Sequence, residues 1–287
     1  MIPGAFDYHR PSSLADAVKL MGSLGDDATI LAGGQSLIPM MKLRLAAPEH
    51  LVDLGGLGEL RTIDVKGSAI TLGAMVTQAE IIASEALAAV VPILRETSTQ
   101  IADPQVRNCG TIGGNVANGD PSNDMPAIMQ ALDATYVLYG PNGSREVKAR
   151  EFYSGSYVTA REPHEILSAI RITAPPAGHG YAYEKQKRKI GDYATAAAAV
   201  ILTLSGGRCT AASIALTNVA ETALFARDAG AALVGTGLDA AAIAKAVAAA
   251  KAIASPSGDG RGPADFRLQV AGVMVARAIG KARSRVR

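Results

Sequence analysis

Two glycine doublets of matching chemistry constrain this chain more than any other feature. One lies in Ala32-Gly33-Gly34-Gln35-Ser36 and the other in Thr111-Ile112-Gly113-Gly114-Asn115. An amide residue follows each doublet, and a hydroxyl residue sits close by. Glycine has no Cβ, so backbone N–H groups can turn inward and approach a ligand closely. Amide and hydroxyl side chains add further hydrogen bonds, and such a backbone nest holds an anion without a cation on the loop. Either doublet alone reads equally well as a simple turn. Two of the same kind point to a nucleotide cofactor, its pyrophosphate cradled by both, and so to a fold that brings distant segments together.

Other nucleotide signatures are weaker. Gly235-Thr236-Gly237-Leu238-Asp239-Ala240 fits the dinucleotide pattern G-x-G-x-x-G/A. No convincing parallel strand follows its helix, and the acidic ribose ligand expected about 20 residues on is missing. Thr236 or Asp239 capping an Ala-rich helix accounts for the same residues. No phosphate-loop motif G-x-x-x-x-G-K-[ST] occurs.

The inventory of reactive side chains is thin. His9, His50, His164 and His179 are scattered without metal-ligand spacing, and the two cysteines, Cys109 and Cys209, fall short of the four thiolates an iron–sulfur cluster ordinarily requires. Cys109 lies within the second loop, where an isolated thiol reads as packing. Redox chemistry on this chain therefore has to come from a cofactor that the protein positions, and any metal centres have to belong to partners. The net charge of +2 gives no reason to expect nucleic acid or a membrane surface. No run reaches the ~18 apolar residues of a membrane span, and no signal pattern opens the chain. A cytoplasmic location is the expectation.

The pattern along the chain is α+β. Residues 12–24 predict an amphipathic helix capped by Ser12 or Ser13 and ended by Gly25. Short strands are expected at 29–32 and 51–54, with a helix between them at 36–45. A hairpin follows at 63–65 and 69–72, and 77–102 reads as helix with Pro92 starting or kinking a second segment. Residues 107–124 are too rich in Gly, Asn, Asp and Pro for regular structure, and a long polar loop within a compact domain tends to be functional. Strands are expected at 134–139 and 165–173, a linker at Pro175–Gly178, a strand pair around Gly206-Gly207, and Ala-rich helices at 238–253 and 264–283. The polar stretch Glu184–Tyr193 reads as a solvated face. Its place at a domain junction also suits a flavin contact, a cation stabilising the reduced ring and Tyr193 covering one face.

These segments resemble the FAD-binding medium subunits of the xanthine dehydrogenase family of molybdenum hydroxylases, most closely its aerobic carbon monoxide dehydrogenase branch. The resemblance covers nearly the whole chain and is carried by F-D-Y-H-R-P-S-S-L-A-D-A-V, A-G-G-Q-S-L-I-P, T-I-G-G-N followed by D-P-S-N-D, and K-Q-K-R-K-I-G-D-Y. It implies a two-lobed FAD-binding domain of the vanillyl-alcohol-oxidase (PCMH) type over residues 1–177, with lobes of about 1–55 and 56–177. A small strand–helix C-terminal domain, 178–287, would cover the flavin. By position, Ala32, Gly33, Gly34, Gln35, Ser36 and Leu37, with Thr111, Ile112, Gly113, Gly114 and Asn115, would hold the pyrophosphate and adjoining ribityl. Ala102 would line the same cleft, Asp124 would face the ribityl or ring, and Leu167, Lys185 and Tyr193 would lie by the isoalloxazine. The resemblance further implies a large partner subunit with a molybdenum cofactor, a small one with two [2Fe–2S] clusters, and a dimer of heterotrimers. The NAD-using branch has a more acidic segment where this chain has Lys189-Ile190-Gly191-Asp192-Tyr193. That departure favours a quinone or membrane electron carrier as acceptor, and with it association with the inner face of the membrane.

Overall fold

The computed structural model describes residues 2–287. Its first unit is a small parallel sheet. Strand β1 (Asp7–His9) leads to helix α1 (Leu14–Leu24), β2 (Ala28–Leu31), α2 (Leu37–Lys42) and β3 (His50–Asp53). The sheet order is β1-β3-β2 with β3 parallel to both neighbours. Ser13 caps α1 by accepting a hydrogen bond from the Asp16 amide at 3.0 Å, and Gly25 ends it with φ +67°. Ala17, Val18 and Met21 are buried from its apolar stripe, packing with Val52, Leu54 and Leu60.

The second unit is antiparallel. Strands β4 (Ile63–Lys66) and β5 (Ala69–Gly73) form the expected hairpin, and three short helices follow, α3 (Gln78–Ala83), α4 (Glu85–Val90) and α5 (Pro92–Ser98). The helical stretch read over 77–102 does start a new segment at Pro92, and it is divided once more, at Ser84. Thr77 and Glu80 make a capping box for α3, Ser84 in extended conformation caps α4, and Val91, outside the helical region, precedes Pro92 at the start of α5. Each break carries its own start signal, and tertiary packing uses all of them.

Residues 107–124 also depart from the expected irregular loop. Helix α6 (Pro104–Cys109) is capped by Asp103 and α7 (Ile112–Ala117) by Thr111, leaving Gly110-Thr111 and 118–123 outside helices before α8 (Asp124–Ala131). Gly113, Gly114 and Asn115, which looked like loop formers, lie inside α7, whose first turn has a free amide satisfied by the Thr111 side chain.

Strands β6 (Thr135–Gly140), β7 (Gly143–Lys148), β8 (Tyr153–Gly155), β9 (Val158–Thr159) and β10 (Ile166–Thr173) complete this unit. The five-stranded sheet runs β4-β5-β10-β6-β7, and β8 pairs with β9. Its core gathers Leu72, Ile93, Leu94, Ile128, Tyr136 and Phe152, all fully or nearly fully buried.

Beyond residue 179 come β11 (Gly180–Gln186), β12 (Ala196–Ser205), β13 (Arg208–Thr217) and β14 (Leu224–Phe225), then α9 (Arg227–Ala231), α10 (Ala240–Ala252) and α11 (Ala264–Arg283). The run in β12 lacks alternation because both its faces are covered. Ala197, Ala199 and Ile201 join the core of the preceding unit, while Ala196, Ala198, Val200 and Leu202 pack with Val275, Ala278 and Ile279 of α11. Strand β11 takes in Glu184 to Gln186, so the solvated face read over 184–193 begins only at Gln186, and the Lys185 side chain is buried. All pairings in this sheet are antiparallel. The segment Gly235–Ala240 therefore has no parallel β-α-β context, and Asp239 caps α10 by accepting from the Ala242 amide at 2.8 Å. No helix among the described residues is long and apolar enough to cross a membrane.

Candidate functional site

A cleft of about 440 Å³ opens where the three units meet. Fifteen of the sixteen residues expected at the site line it: Ala32, Gly33, Gly34, Gln35, Ser36 and Leu37 from the β2–α2 turn; Ala102; Thr111, Gly113, Gly114 and Asn115 from the start of α7; and Asp124, Leu167, Lys185 and Tyr193. The exception is Ile112. Its side chain is fully buried in the central core, and its amide donates to the Val76 carbonyl at 2.8 Å, so it anchors the loop from behind.

Each glycine doublet packs closely on neighbouring backbone, Gly33 on the Cys109-Gly110 turn just before the second doublet and Gly113 on Ala74 just after β5. A Cβ on Gly33 would lie 2.2 Å from the Cys109 carbonyl oxygen and 2.8 Å from Gly110 Cα. On Gly113 it would fall 2.5 Å from Ala74 Cβ. Gly33 is therefore required first by its contact with the Cys109-Gly110 turn, and Gly113 by its contact with Ala74. Gly34 has φ +70°, the left-handed region that glycine enters without strain. Several polar groups of the loops are committed within the protein. Thr111 Oγ1 accepts from the Gly114 amide at 3.1 Å, Gln35 Nε2 donates to the Gly33 carbonyl at 3.0 Å, and Asn115 Oδ1 accepts from the Met125 amide at 3.3 Å.

At the other end of the cleft, Lys185 Nζ donates to Asp124 Oδ2 at 2.8 Å, the two side chains 1% and 5% exposed. The second carboxylate oxygen accepts from the Tyr183 hydroxyl at 2.5 Å. Burial, then the neighbouring Asp124 charge, holds the Tyr183 phenol well above its ordinary range, so it stays a protonated donor. A buried carboxylate needs this much compensation, since desolvation otherwise exceeds the attraction of one ion pair.

Ala102 sits at φ +42°, a conformation costing a non-glycine residue roughly 1–2 kcal/mol. Arg107 holds that turn by donating from Nη1 to the carbonyls of Ile101 at 2.8 Å and Ala102 at 3.2 Å. Gly191, φ +83°, passes beside Ala102 and carries Asp192 and Tyr193 to the rim. The Tyr193 ring is 42% exposed, and the Arg261 guanidinium lies 5.8 Å from its centroid. Burial raises the Tyr193 phenol above its usual value, with Asp120 adding to the effect.

The lining also takes in residues that the sequence did not single out, among them Met75, Gln78 and Arg161. Arg161 lies in the turn before β10, with nothing in its neighbours to mark it. Only the packing of that turn beside the first unit brings it to the cleft.

The family described as FAD binding domain in molybdopterin dehydrogenase matches residues 4–175, and that described as CO dehydrogenase flavoprotein C-terminal domain matches 181–282. The carbon monoxide dehydrogenase medium chain of Afipia carboxidovorans is 63% identical over 287 residues, covering 100% of both chains. That of Hydrogenophaga pseudoflava is 49% identical over 285 residues, 99% of each. A solved structure of reconstituted CO dehydrogenase from Oligotropha carboxidovorans contains a chain that superposes with a TM-score of 0.99 at 63% identity, covering 100% of both. Full-length identity at this level, on a fold with the same two parts, means that the chain belongs to the family of FAD-binding medium chains of the molybdenum hydroxylases.

Proposed function

We propose that this chain is the FAD-carrying, electron-transferring medium chain of an aerobic carbon monoxide dehydrogenase. The observation that carries the reading is the 63% identity to a carbon monoxide dehydrogenase medium chain along the entire length of both. The residues present fit a flavin dinucleotide. The cleft has a glycine floor where added Cβ atoms would collide, a polar rim, and a cation–carboxylate pair at one end.

In this reading residues 1–177 form the FAD-binding domain and 178–287 the domain that covers its outer end. The Ala32–Leu37 and Thr111–Asn115 loops hold the pyrophosphate and ribityl, with Ile112 anchoring the second loop from behind. Ala102, Leu167, Lys185 and Tyr193 enclose the isoalloxazine, and Asp124 orients Lys185 toward it. When bound, the flavin supplies the capacity to accept electrons singly and release them in pairs. The chain's own residues bind it, keep water from its inner face, and hold a positive charge where reduction places a negative one. Carbon monoxide is oxidised on a large partner that carries the molybdenum cofactor, and electrons reach this chain through the [2Fe–2S] clusters of a small partner. The assembly is a dimer of heterotrimers in the cytoplasm, discharging to a quinone or other carrier at the inner face of the membrane.

The test is the visible spectrum of the complex purified from its native host. FAD in stoichiometric amount with this chain, bleached on adding carbon monoxide, is expected. A preparation holding all three chains but no flavin, or a flavin that carbon monoxide leaves oxidised, overturns the reading.

A further inference from the structure

Four charged side chains line the cleft: Asp124, Arg161, Lys185 and Asp192. Three have carboxylate or cation partners. Lys185 and Asp124 pair at 2.8 Å, and Asp192 pairs with Arg188 at 2.8 Å. Among the described residues, Arg161 alone of the four makes no ion pair. Its Nη1 donates to two neutral carbonyls, Glu165 at 3.0 Å and Glu162 at 3.4 Å. Its natural counter-ion is already committed. The Glu165 carboxylate binds Arg145 through both oxygens, at 2.6 and 2.7 Å, and also accepts the Glu162 amide at 2.7 Å.

Arg161 thus brings to the cleft a positive charge that makes no ion pair among the described residues, on a half-buried guanidinium anchored by carbonyls and favoured at longer range by Glu165. An arginine keeps its proton in such a place, although burial draws its affinity for that proton below the ordinary guanidinium value. Its remaining N–H groups have the planar geometry that suits a phosphate oxygen pair. The glycine loops supply no cation, and part of their donor capacity is taken up internally.

We infer that Arg161 is a phosphate-binding residue, its guanidinium supplying the positive charge that the glycine loops lack for the diphosphate of the bound dinucleotide. The inference rests on the reading of the cleft as a flavin site. It differs from that reading in assigning the anion contact to a side chain outside both loops.

The test uses the assembled complex, stripped of flavin and titrated with FAD, ADP and riboflavin. For Arg161→Met, FAD and ADP affinities are expected to fall by roughly ten- to hundredfold, the range for one charge-assisted contact, with riboflavin unchanged. The salt dependence of FAD binding should weaken, and Arg161→Lys should recover part of the loss. Unaltered FAD affinity in Arg161→Met overturns the inference, and so does an equal loss for riboflavin, which would mark a merely structural role. Should that variant fail to assemble, protection of Arg161 in the stripped wild-type complex from an arginine-selective dicarbonyl reagent by ADP is measured by mass spectrometry. Protection supports the inference, and its absence overturns it. A wild-type complex that binds no FAD would instead sink the flavin reading itself.

Discussion

Asp124, at the start of α8, and Lys185, near the end of β11, form an ion pair of 2.8 Å that is almost entirely buried, and the Tyr183 hydroxyl completes the carboxylate's hydrogen bonding. One partner belongs to the helical wall of the cleft and the other to the sheet that follows the 175–178 connection. The pair therefore ties the two parts together at the place where a flavin ring would lie. Replacing Lys185 with Met leaves the Asp124 charge buried with no counter-ion, and should cost about 3–5 kcal/mol. Adding Asp124→Asn should restore most of that. A denaturation double-mutant cycle on these variants reads the coupling, and additive losses would show that the two side chains do not depend on each other.

Gly33 and Gly114 should respond differently to alanine. At Gly33 the new Cβ meets the Cys109 carbonyl at 2.2 Å, whereas at Gly114 the nearest atom is the Thr111 hydroxyl at 2.9 Å, with Ala32 Cβ at 3.6 Å. Backbone has to move in the first case, and overpacking of that kind costs about 1–3 kcal/mol or more. Gly33→Ala is expected to lose both thermal stability and flavin, and Gly114→Ala to lose flavin with a smaller fall in melting temperature. Equal destabilisation by the two would contradict the loop-to-loop contact as the reason for Gly33.

Cys109 touches Gly33 through its carbonyl, while the residue itself is exposed. Cys109→Ala keeps that carbonyl. Flavin content of the purified complex should stay at the wild-type level, and a loss would assign the thiol a part in binding.

His179 follows the Pro175–Gly178 connection, with Nδ1 3.0 Å from the Pro176 carbonyl and only 8% of the residue exposed. Burial lowers its affinity for a proton below the ordinary imidazole value, and the Pro176 carbonyl offsets this in part. The unfolded chain therefore binds the proton more readily, so the stabilisation is complete above about pH 6.5 and declines as pH falls toward the depressed folded value. Melting temperature measured from about pH 7 to pH 5 should fall less steeply for His179→Gln than for the wild type. Parallel profiles would show that this ring does not titrate differently on folding.

Much of the local structure was legible. Ser13, Gly25, Pro92 and Asp239 act as the helix signals they resemble, and the hairpin at 63–72 and the strand pair at Gly206-Gly207 stand in the expected places. Short-range chemistry decides such features, so a few adjacent residues suffice. Over 107–117 the composition misled, because Asn108, Gly113, Gly114 and Asn115, which read as loop formers, lie inside short capped helices.

By itself, the amino-acid sequence determined that backbone at two distant glycine doublets must be free of side chains, that no redox metal site is built from this chain's few cysteines and histidines, and which family the chain resembles. Tertiary structure alone decided what those glycines touch, that Ile112 turns away from the cleft, that the Lys185 side chain is buried against Asp124, and that Arg161 reaches the cleft with no ion pair among the described residues. The division has a physical cause. Conformational freedom and side-chain chemistry are properties of single residues and their neighbours, whereas burial and charge balance are sums over groups that only packing brings together.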